Sequence, residues 1–200
     1  MAIEINVPDV QFQIRAKNSE TKSYEWKELT SADIFLNKRV VVFALPGAFT
    51  PTCSSTHLPG YELHYDDIIE QDVDEVYCLS VNDSFVMNAW FSDQVIENVK
   101  ALPDGNADFT RHLGMLVKKE NLGFGPRSHR YSMVVDNGRI ESIWVEDGKT
   151  DNYAGDPFVV SDAKSMVNYL KEVRDIRRDA IAAFNAQKEQ EEQAEVLIDS

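Results

Sequence analysis

The chain has 200 residues, of which 43% are hydrophobic and 27% are charged, a length and composition typical of one globular domain with a substantial core. Its 20 basic and 34 acidic residues give a net charge of −14, which opposes binding to nucleic acid or to an anionic membrane surface. No apolar run approaches the ~20 residues of a membrane-spanning helix, and the start, MAIEINVPDV, lacks the pattern of a secretory signal. We therefore expect a cytoplasmic protein that binds neither nucleic acid nor membranes.

The sequence contains two cysteines, Cys53 and Cys78. Two are too few for a disulfide scaffold and cannot by themselves form a four-ligand zinc site. The histidines His64, His112 and His129 are scattered and lack the spacing of metal ligands. The pattern therefore predicts no metal site, and it favours a reducing compartment in which a cysteine acts as a thiol.

Two short runs rich in β-branched residues, RVVVFAL (39–45) and EVYCLSV (75–81), are typical of strands buried on both faces of a sheet. Between them, a helix is predicted to begin near Pro51, because proline is favoured in the first turn of a helix. The apolar positions of this region, at a rough helical spacing, are Leu63, Ile68 and Ile69. The order predicts a strand–loop–helix–strand unit.

The stretch NDSFVMNAWFSDQV (82–95) predicts a second helix, for which Asn82 and Asp83 are the candidate caps. Its apolar residues at helical spacing are Phe85, Val86, Ala89 and Trp90. The run NVKALPD (98–104) that follows predicts another strand. This alternation of strands and helices indicates an α/β fold.

A β-hairpin is predicted further along the chain. The runs RYSMVV (130–135) and RIESIWVE (139–146) flank the tripeptide Asp136-Asn137-Gly138. Asn-Gly between two apolar runs is a strong short-range signal for a hairpin turn. Gly123 and Gly125, by contrast, lack the strand-then-helix context of a phosphate loop and are expected only to turn the chain.

From Ser161 onward the sequence contains neither proline nor glycine, which predicts one long amphipathic helix or two. Its apolar residues, three or four positions apart, are Met166, Leu170, Val173, Ile176, Ala180 and Phe184. We expect the first half to pack on the domain, and the segment AQKEQEEQAE (186–195) to be solvated. We therefore divide the chain into a domain of residues 1–170 and a C-terminal helical, acidic extension of residues 171–200.

The stretch ALPGAFTPTCSSTHLPGY (44–61) places Cys53 at the predicted start of a helix, directly after Pro51 and Thr52. Unpaired N–H groups and the positive end of the helix dipole favour a thiolate there, the nucleophilic form of cysteine. Thr50 stands three residues earlier, so its hydroxyl can bond the thiolate or an oxygen bound to it. Because threonine takes the place of the first sulfur of a Cys-x-x-Cys motif, no local disulfide partner is present.

Two other interpretations of Cys53 stay open from the spacing alone. The first is a structural cysteine at the start of a helix. The second is a Cys–His dyad with His57, which follows by one helical turn, as in cysteine hydrolases. An acyl hydrolase of this kind would cleave esters with His57 as its base.

The segment PGAFTPTC (46–53) fits the pattern Pro-x-x-x-Thr-x-x-Cys of the peroxiredoxins. The segments THLPGY, CLSVND, FVMNAW and RYSMVV then follow in the order of the type-five subfamily. From about Val10 to Leu170, the chain resembles the peroxiredoxin half of bacterial peroxiredoxin–glutaredoxin fusions. The resemblance implies a thioredoxin-like fold, in which helices flank a central mixed sheet, and a homodimer.

The resemblance also implies a thiol peroxidase for hydrogen peroxide and alkyl hydroperoxides that binds no cofactor. In such an enzyme Cys53 attacks the terminal peroxide oxygen and becomes a sulfenic acid. Thr50 bonds the substrate oxygens, Pro46 shields the site from water, and Arg130 holds both thiolate and peroxide. Arg127, three residues before Arg130, is assigned to the rim of the site or to an ion pair.

Recycling of the sulfenic acid requires a second thiol. No cysteine follows Cys78, so the resolving cysteine that some type-five members carry near the C-terminus has no counterpart here, and no glutaredoxin domain is expected. Because the fused relatives use glutathione and glutaredoxin, the resemblance implies glutathione as external reductant, directly or through a separate glutaredoxin.

Two alternatives to glutathione recycling stay open. Cys78 could act as the resolving thiol of a two-cysteine peroxidase, although free cysteine in a strand is more often a small buried hydrophobe. The second alternative is a peroxide sensor that passes its oxidation to a partner protein.

Overall fold

The structure, a computed structural model, describes residues 5–18, 20–21 and 23–198, with side chains up to residue 188. Its strands are β1 Gln11–Lys17, β2 Tyr24–Thr30, β3 Arg39–Ala44, β4 Glu75–Ser80, β5 Lys100–Pro103, β6 Leu116–Lys118, β7 Pro126–Ser128, β8 Tyr131–Asp136 and β9 Arg139–Val145. Its α-helices are α1 Ser31–Phe35, α2 Leu58–Leu63, α3 Tyr65–Ile69, α4 Ser84–Asp93, α5 Asp108–His112 and α6 Ala163–Ile198. A π-helical turn, Cys53–His57, precedes α2, and a 3₁₀ turn spans Glu120–Leu122.

A mixed sheet with the strand order β5-β4-β3-β8-β9 forms the centre of the fold. Strands β3, β4 and β5 run parallel, whereas β8 and β9 are antiparallel to their neighbours. The predicted strands and the hairpin are confirmed, and so is the α/β, thioredoxin-like fold class. The hairpin turn holds Asn137 and Gly138 at φ values of 49° and 80°, the left-handed conformation that a tight hairpin turn requires and that Asn-Gly adopts readily.

Strand β3 lies at the middle of the sheet, and all six of its residues are buried. Because side chains alternate along a strand, Val41 and Phe43 face one apolar cluster, and Val42 faces a second one that contains Phe109. The first cluster includes Tyr61, whose ring stacks on Phe43 with centroids 3.9 Å apart. The helical region that begins at Pro51 is therefore packed on one face of the sheet.

This helical region differs from the predicted one in which side chains it buries. Leu63, one of the three apolar residues predicted at a rough helical spacing, is 78% exposed, while Leu58, Tyr61 and Ile68 are fully buried. His64 breaks the helix between Leu63 and Ile68, so the two residues do not share one helical face. A regular helical spacing therefore does not apply across the region.

Helix α4 begins where predicted, because the Asp83 carboxylate accepts hydrogen bonds from the N–H groups of Phe85 and Val86 at 2.8 and 3.0 Å. Its buried apolar residues are Met87 and Trp90. Phe85, one of the four apolar residues predicted at helical spacing, is 56% exposed. Its ring instead meets Trp26 of the β1–β2 hairpin edge to face, with centroids 5.7 Å apart.

Helix α6 is a single helix that packs on the domain only through its first turns. Met166 and Leu170 are 2% and 0% exposed, as predicted, but Ile176 and Phe184 are 62% and 67% exposed. The expectation that the first half of this region packs on the domain is therefore wrong for Ile176, whereas Phe184 lies in the second half. The division at residues 170 and 171 stays a prediction, since α6 crosses it without a break.

A cluster of ion pairs and hydrogen bonds joins α6 to β9, an edge strand of the central sheet. Glu141 of β9 accepts hydrogen bonds from Arg39 and Tyr169, each at 2.9 Å, and from Arg177 at 3.0 Å. Within the residues that the structure describes, neither α6 nor any other helix combines the length and apolar character needed to span a membrane.

The contrast within α6 predicts different effects of two matched substitutions. Leu170→Ala removes a fully buried side chain and should lower the free energy of unfolding by about 2–5 kcal/mol. Ile176→Ala removes an exposed side chain and should change it by less than about 0.5 kcal/mol. Urea unfolding of both variants measures the difference, and equal losses would contradict the packing described for α6.

Candidate active site

The loop after β3 leads directly to Cys53. Pro46 and Gly47 are buried at the end of the central strand, and Phe49 adopts a φ of 62° as the chain turns outward. The helical region then begins at Pro51, as predicted. Cys53 lies in its first turn and is 0% exposed, so the sulfur is enclosed by the fold.

The turn that carries Cys53 is π-helical. The Leu58 N–H donates to the Cys53 carbonyl, a bond that spans five residues instead of the four of an α-helix. Cys53 and His57 are both buried on its inner face. Turns of this kind are frequent at functional sites, because one extra residue re-aims the side chains around it.

Arg130 lies directly beside the sulfur. It precedes β8, whose Tyr131 pairs with Ala44 of β3, so the sheet register brings it to the loop that leads to Cys53. The side chain is 2% exposed, and its Nη1 lies 3.7 Å from Cys53 Sγ. The sequence-predicted pair of Cys53 and Arg130 is therefore brought together.

His57 also contacts this guanidinium, with Nδ1 at 3.0 Å from Arg130 Nη1. A guanidinium can only donate hydrogen bonds, so Nδ1 is the acceptor and Nε2 carries the ring proton. Nε2 donates to the Ser161 carbonyl at 3.2 Å. Burial, followed by the Arg130 charge, holds the pKa of His57 well below its usual value, so the ring is neutral.

This arrangement bears on the Cys–His dyad. The hydrogen bonds of His57 among the described residues go to Arg130 and Ser161, and not to Cys53. The lone pair that a general base would use already accepts from Arg130. The geometry therefore gives no support to an acyl hydrolase with His57 as its base.

Asp156 is a site residue that no sequence pattern indicated. Its Oδ1 accepts from Arg130 Nη2 at 2.5 Å. Burial raises the pKa of Asp156, but hydrogen bonds from Thr52 and Arg130, with the Arg130 charge, outweigh it and leave the pKa below its usual value. A carboxylate thus compensates the buried cation on the side away from the sulfur.

The segment 156–161, which we name the strap, closes the site. Glu146 holds it, because one carboxylate oxygen accepts from the N–H groups of Val159, Val160 and Ser161 and from the Ser161 hydroxyl at 2.8–2.9 Å. Burial raises the pKa of Glu146, but these bonds outweigh it and lower the pKa overall. The Glu146 N–H in turn donates to the Arg130 carbonyl at 3.1 Å.

The comparisons with known proteins agree with this geometry. A family model described as Redoxin matches residues 6–166. The peroxiredoxin of Rhizobium etli is 48% identical over 174 residues, which cover 86% of this chain and 97% of that protein. The chain belongs to the peroxiredoxin family. It is therefore a thiol peroxidase, and the resemblance inferred from the motifs is confirmed.

Two further relatives are informative. The hybrid peroxiredoxin hyPrx5 of Haemophilus influenzae is 50% identical over 164 residues, which cover 82% of this chain and 64% of the hybrid. The solved structure of reduced Prx3 from Vibrio vulnificus in complex with hydrogen peroxide is 35% identical, with a TM-score of 0.72. The match covers 86% of this chain and 96% of that one.

Thr50 and Pro46 of this peroxiredoxin lie in the loop that leads to the sulfur. The Thr50 hydroxyl donates to the Gly47 carbonyl at 2.8 Å, and the Thr50 carbonyl accepts from the Ser54 N–H at 3.0 Å. The hydroxyl proton is therefore not directed at Cys53 Sγ. The oxygen keeps its lone pairs, so it is placed to accept a hydrogen bond rather than to donate one.

Arg127 of the peroxiredoxin is anchored to backbone beside the same loop. Its Nη1 donates to the Val81 carbonyl at 2.9 Å and its Nε to the Phe124 carbonyl at 3.0 Å. Arg127 therefore donates to two backbone carbonyls, where the sequence had suggested the rim of the site or an ion pair. Gly123 and Gly125 have φ values of 72° and 69°, so they do turn the chain here.

Cys78 lies behind the site in β4, in register with Phe43 of β3. It is 0% exposed and belongs to the same apolar cluster as Cys53. Burial, and then the nearby Cys53, raise the pKa of the Cys78 thiol well above its usual value. Cys78 therefore stays protonated, like a small buried hydrophobe.

In the described residues, no group of three or more His, Cys, Asp or Glu side chains is placed to hold a metal ion.

The lowered pKa of His57 predicts a pH-dependent stability. The unfolded chain binds a proton near pH 6.5 that the native state does not bind. The contribution of neutral His57 to the free energy of unfolding is therefore fully present above that pH. It is lost as the pH falls, by up to about 1.4 kcal/mol per pH unit. His57→Asn cannot titrate, so its free energy of unfolding should fall less steeply than that of the wild type between about pH 7.5 and 5.5. Parallel slopes in urea unfolding would show that His57 is not held neutral by the fold.

Proposed function

We propose that this peroxiredoxin reduces hydrogen peroxide and alkyl hydroperoxides through a sulfenic acid on Cys53, and that glutathione, directly or through a separate glutaredoxin, regenerates the thiol. The observation that supports the proposal most directly is the 3.7 Å contact between Arg130 Nη1 and the fully buried Cys53 Sγ. A fixed cation beside the sulfur stabilises the anionic nucleophile in a site that excludes water.

In the proposed reaction the Cys53 thiolate attacks the terminal oxygen of the peroxide. The S–O bond forms while the O–O bond breaks, so the sulfur is oxidised and the peroxide is reduced by two electrons. The attacked oxygen keeps its hydrogen and becomes part of the sulfenic acid. The other oxygen leaves with a proton from solvent, as water or as an alcohol.

Two groups are available to hold the peroxide. Arg130 Nε–H is buried and has no hydrogen-bond partner among the described residues, so it offers a donor to a peroxide oxygen. The Thr50 hydroxyl already donates its hydrogen bond to the Gly47 carbonyl, so Oγ1 offers an acceptor to the peroxide O–H. We propose that Pro46, buried at the start of the loop, helps to exclude water.

Recycling by glutathione follows from the sulfenic acid. A glutathione thiolate attacks the Cys53 sulfur and releases water, which leaves a mixed disulfide, and a second thiol then frees Cys53. The 50% identity to hyPrx5 supports this reductant, because the resemblance to the fused relatives implied it. The chemistry takes place on sulfur and needs no bound cofactor. Burial and the neighbouring Cys53 raise the pKa of the Cys78 thiol well above its usual value, which supports a one-cysteine cycle.

The assembly and compartment belong to the same proposal. Peroxiredoxins are commonly dimeric, and we propose a homodimer for this chain. The cytoplasm is the compartment that fits best, because glutathione and related systems keep thiols reduced there.

Replacement of the two cysteines tests the proposed cycle. With hydrogen peroxide, glutathione and glutathione reductase, with and without added glutaredoxin, NADPH consumption should disappear in Cys53→Ser. It should stay within about twofold of the wild type in Cys78→Ser, because a protonated buried thiol takes no part. Loss of all glutathione-driven activity in Cys78→Ser would favour a two-cysteine peroxidase. Rapid Cys53 oxidation without turnover would favour a peroxide sensor.

Two matched variants test the acceptor role of Thr50. Thr50→Val keeps the shape of the side chain but removes the oxygen, so the rate of Cys53 oxidation by hydrogen peroxide should fall by on the order of 100-fold. Thr50→Ser keeps the oxygen and should stay much closer to the wild type. Stopped-flow measurement of the second-order rate constant distinguishes them, and a Val variant as fast as Ser would refute the role.

A further inference from the structure

Arg130 needs groups other than the sulfur to set its direction. The distance of 3.7 Å between Nη1 and Cys53 Sγ is long for a directional contact, whereas the contacts of Nη1 with His57 Nδ1 and of Nη2 with Asp156 Oδ1 are 3.0 and 2.5 Å. Short, charge-assisted hydrogen bonds orient a guanidinium far more strongly than a long contact.

The His57 ring is itself held on several sides. Its Nε2 donates to the Ser161 carbonyl of the strap. Its ring centroid lies 4.9 Å from that of Phe43 in the central strand and 4.7 Å from that of Phe158 in the strap. The Nδ1 lone pair therefore has a fixed direction, and that direction is toward Arg130 Nη1.

Asp156 holds the far side of the guanidinium. Its carboxylate accepts from Arg130 Nη2 at 2.5 Å. The side chain of Asp156 is 47% exposed, so it reaches the buried guanidinium from the surface. Four hydrogen bonds to one oxygen of Glu146 hold the other end of the strap.

We propose that His57 and Asp156 are positioning residues that together aim the Arg130 guanidinium, so that Nη1 faces Cys53 Sγ and Nε–H stays free for a peroxide oxygen. The proposal rests on the proposed function. It assigns to His57 the role of a neutral hydrogen-bond acceptor, not that of a base. Because a displacement of about 1 Å at a reacting centre lowers rates on the order of 100-fold, loss of this aim should be measurable.

A pair of variants separates the two hydrogen bonds of His57. His57→Asn places an oxygen near the position of Nδ1 and retains the acceptor for Arg130, whereas His57→Gln places its NH₂ group near Nε2 and retains only the donor for Ser161. Oxidation of Cys53 by hydrogen peroxide, without reductant and followed by intact mass, should slow by on the order of 10- to 100-fold in the Gln variant. The Asn variant should recover most of that loss, and the exposed His112→Gln serves as control.

A double-mutant cycle distinguishes positioning from general damage to the fold. If His57 acts through Arg130, His57→Gln should change the rate less than about twofold once Arg130→Lys is present. An undiminished further loss in the double variant would overturn the proposal. Equal rates for wild type, His57→Asn and His57→Gln would also overturn it.

Asp156 provides an independent test on a half-exposed side chain, should the buried His57 variants fail to fold. Asp156→Ala removes the oxygen that holds Nη2 and should slow Cys53 oxidation by on the order of 10-fold. Asp156→Asn keeps an acceptor, so its rate should lie between those of the wild type and Asp156→Ala. A wild-type rate in Asp156→Ala would contradict its role. If wild-type Cys53 is not oxidised by peroxide, the proposed function itself fails, and the positioning role with it.

Discussion

A buried cation is the constraint around which this site is organised. Arg130 is 2% exposed, and a guanidinium cannot give up its proton to escape the low-dielectric interior. Such a charge is tolerated only when it is paired and hydrogen-bonded. Asp156 supplies the opposite charge and neutral His57 a lone pair. Cys53 Sγ lies beside the same guanidinium, 3.7 Å from Nη1.

The central sheet brings these groups together from distant parts of the chain. Ala44 of β3 pairs with Tyr131 of β8, so the residue before β8 meets the loop after β3 at one edge. Tyr131 pairs with Val145 at the open end of the β8–β9 hairpin, so Glu146 lies beside Arg130 and holds the strap at the same end of the sheet. Cys53 thus lies between the central sheet and the strap, which a buried carboxylate holds in place.

The elements whose signal is local could be predicted from the sequence. Strands β3 and β4 and the Asn137-Gly138 turn each depend on residues within a short window. The helical spacing did not show that Leu63 and Phe85 are exposed, because His64 breaks the helix after Leu63 and Phe85 packs on Trp26 of the β1–β2 hairpin. Asp156 was missed because it lies 26 residues from Arg130, and no spacing rule connects the two. The hydrogen bond from the Thr50 hydroxyl to the Gly47 carbonyl likewise depends on the loop conformation, which the motif does not specify.

The π-helical turn at Cys53 makes this segment sensitive to a deletion but tolerant of substitutions. Its five-residue hydrogen bond from Leu58 to Cys53 accommodates one residue more than an α-helical turn. Deleting a residue between them would restore α-helical geometry and rotate everything after it by about 100° relative to the sulfur. Tyr61 would leave its stack on Phe43. Ser55 and Thr56 are exposed, so substitutions at these two positions leave the turn intact. A deletion does not, because the hydrogen bond from Leu58 to Cys53 fixes the number of residues between them.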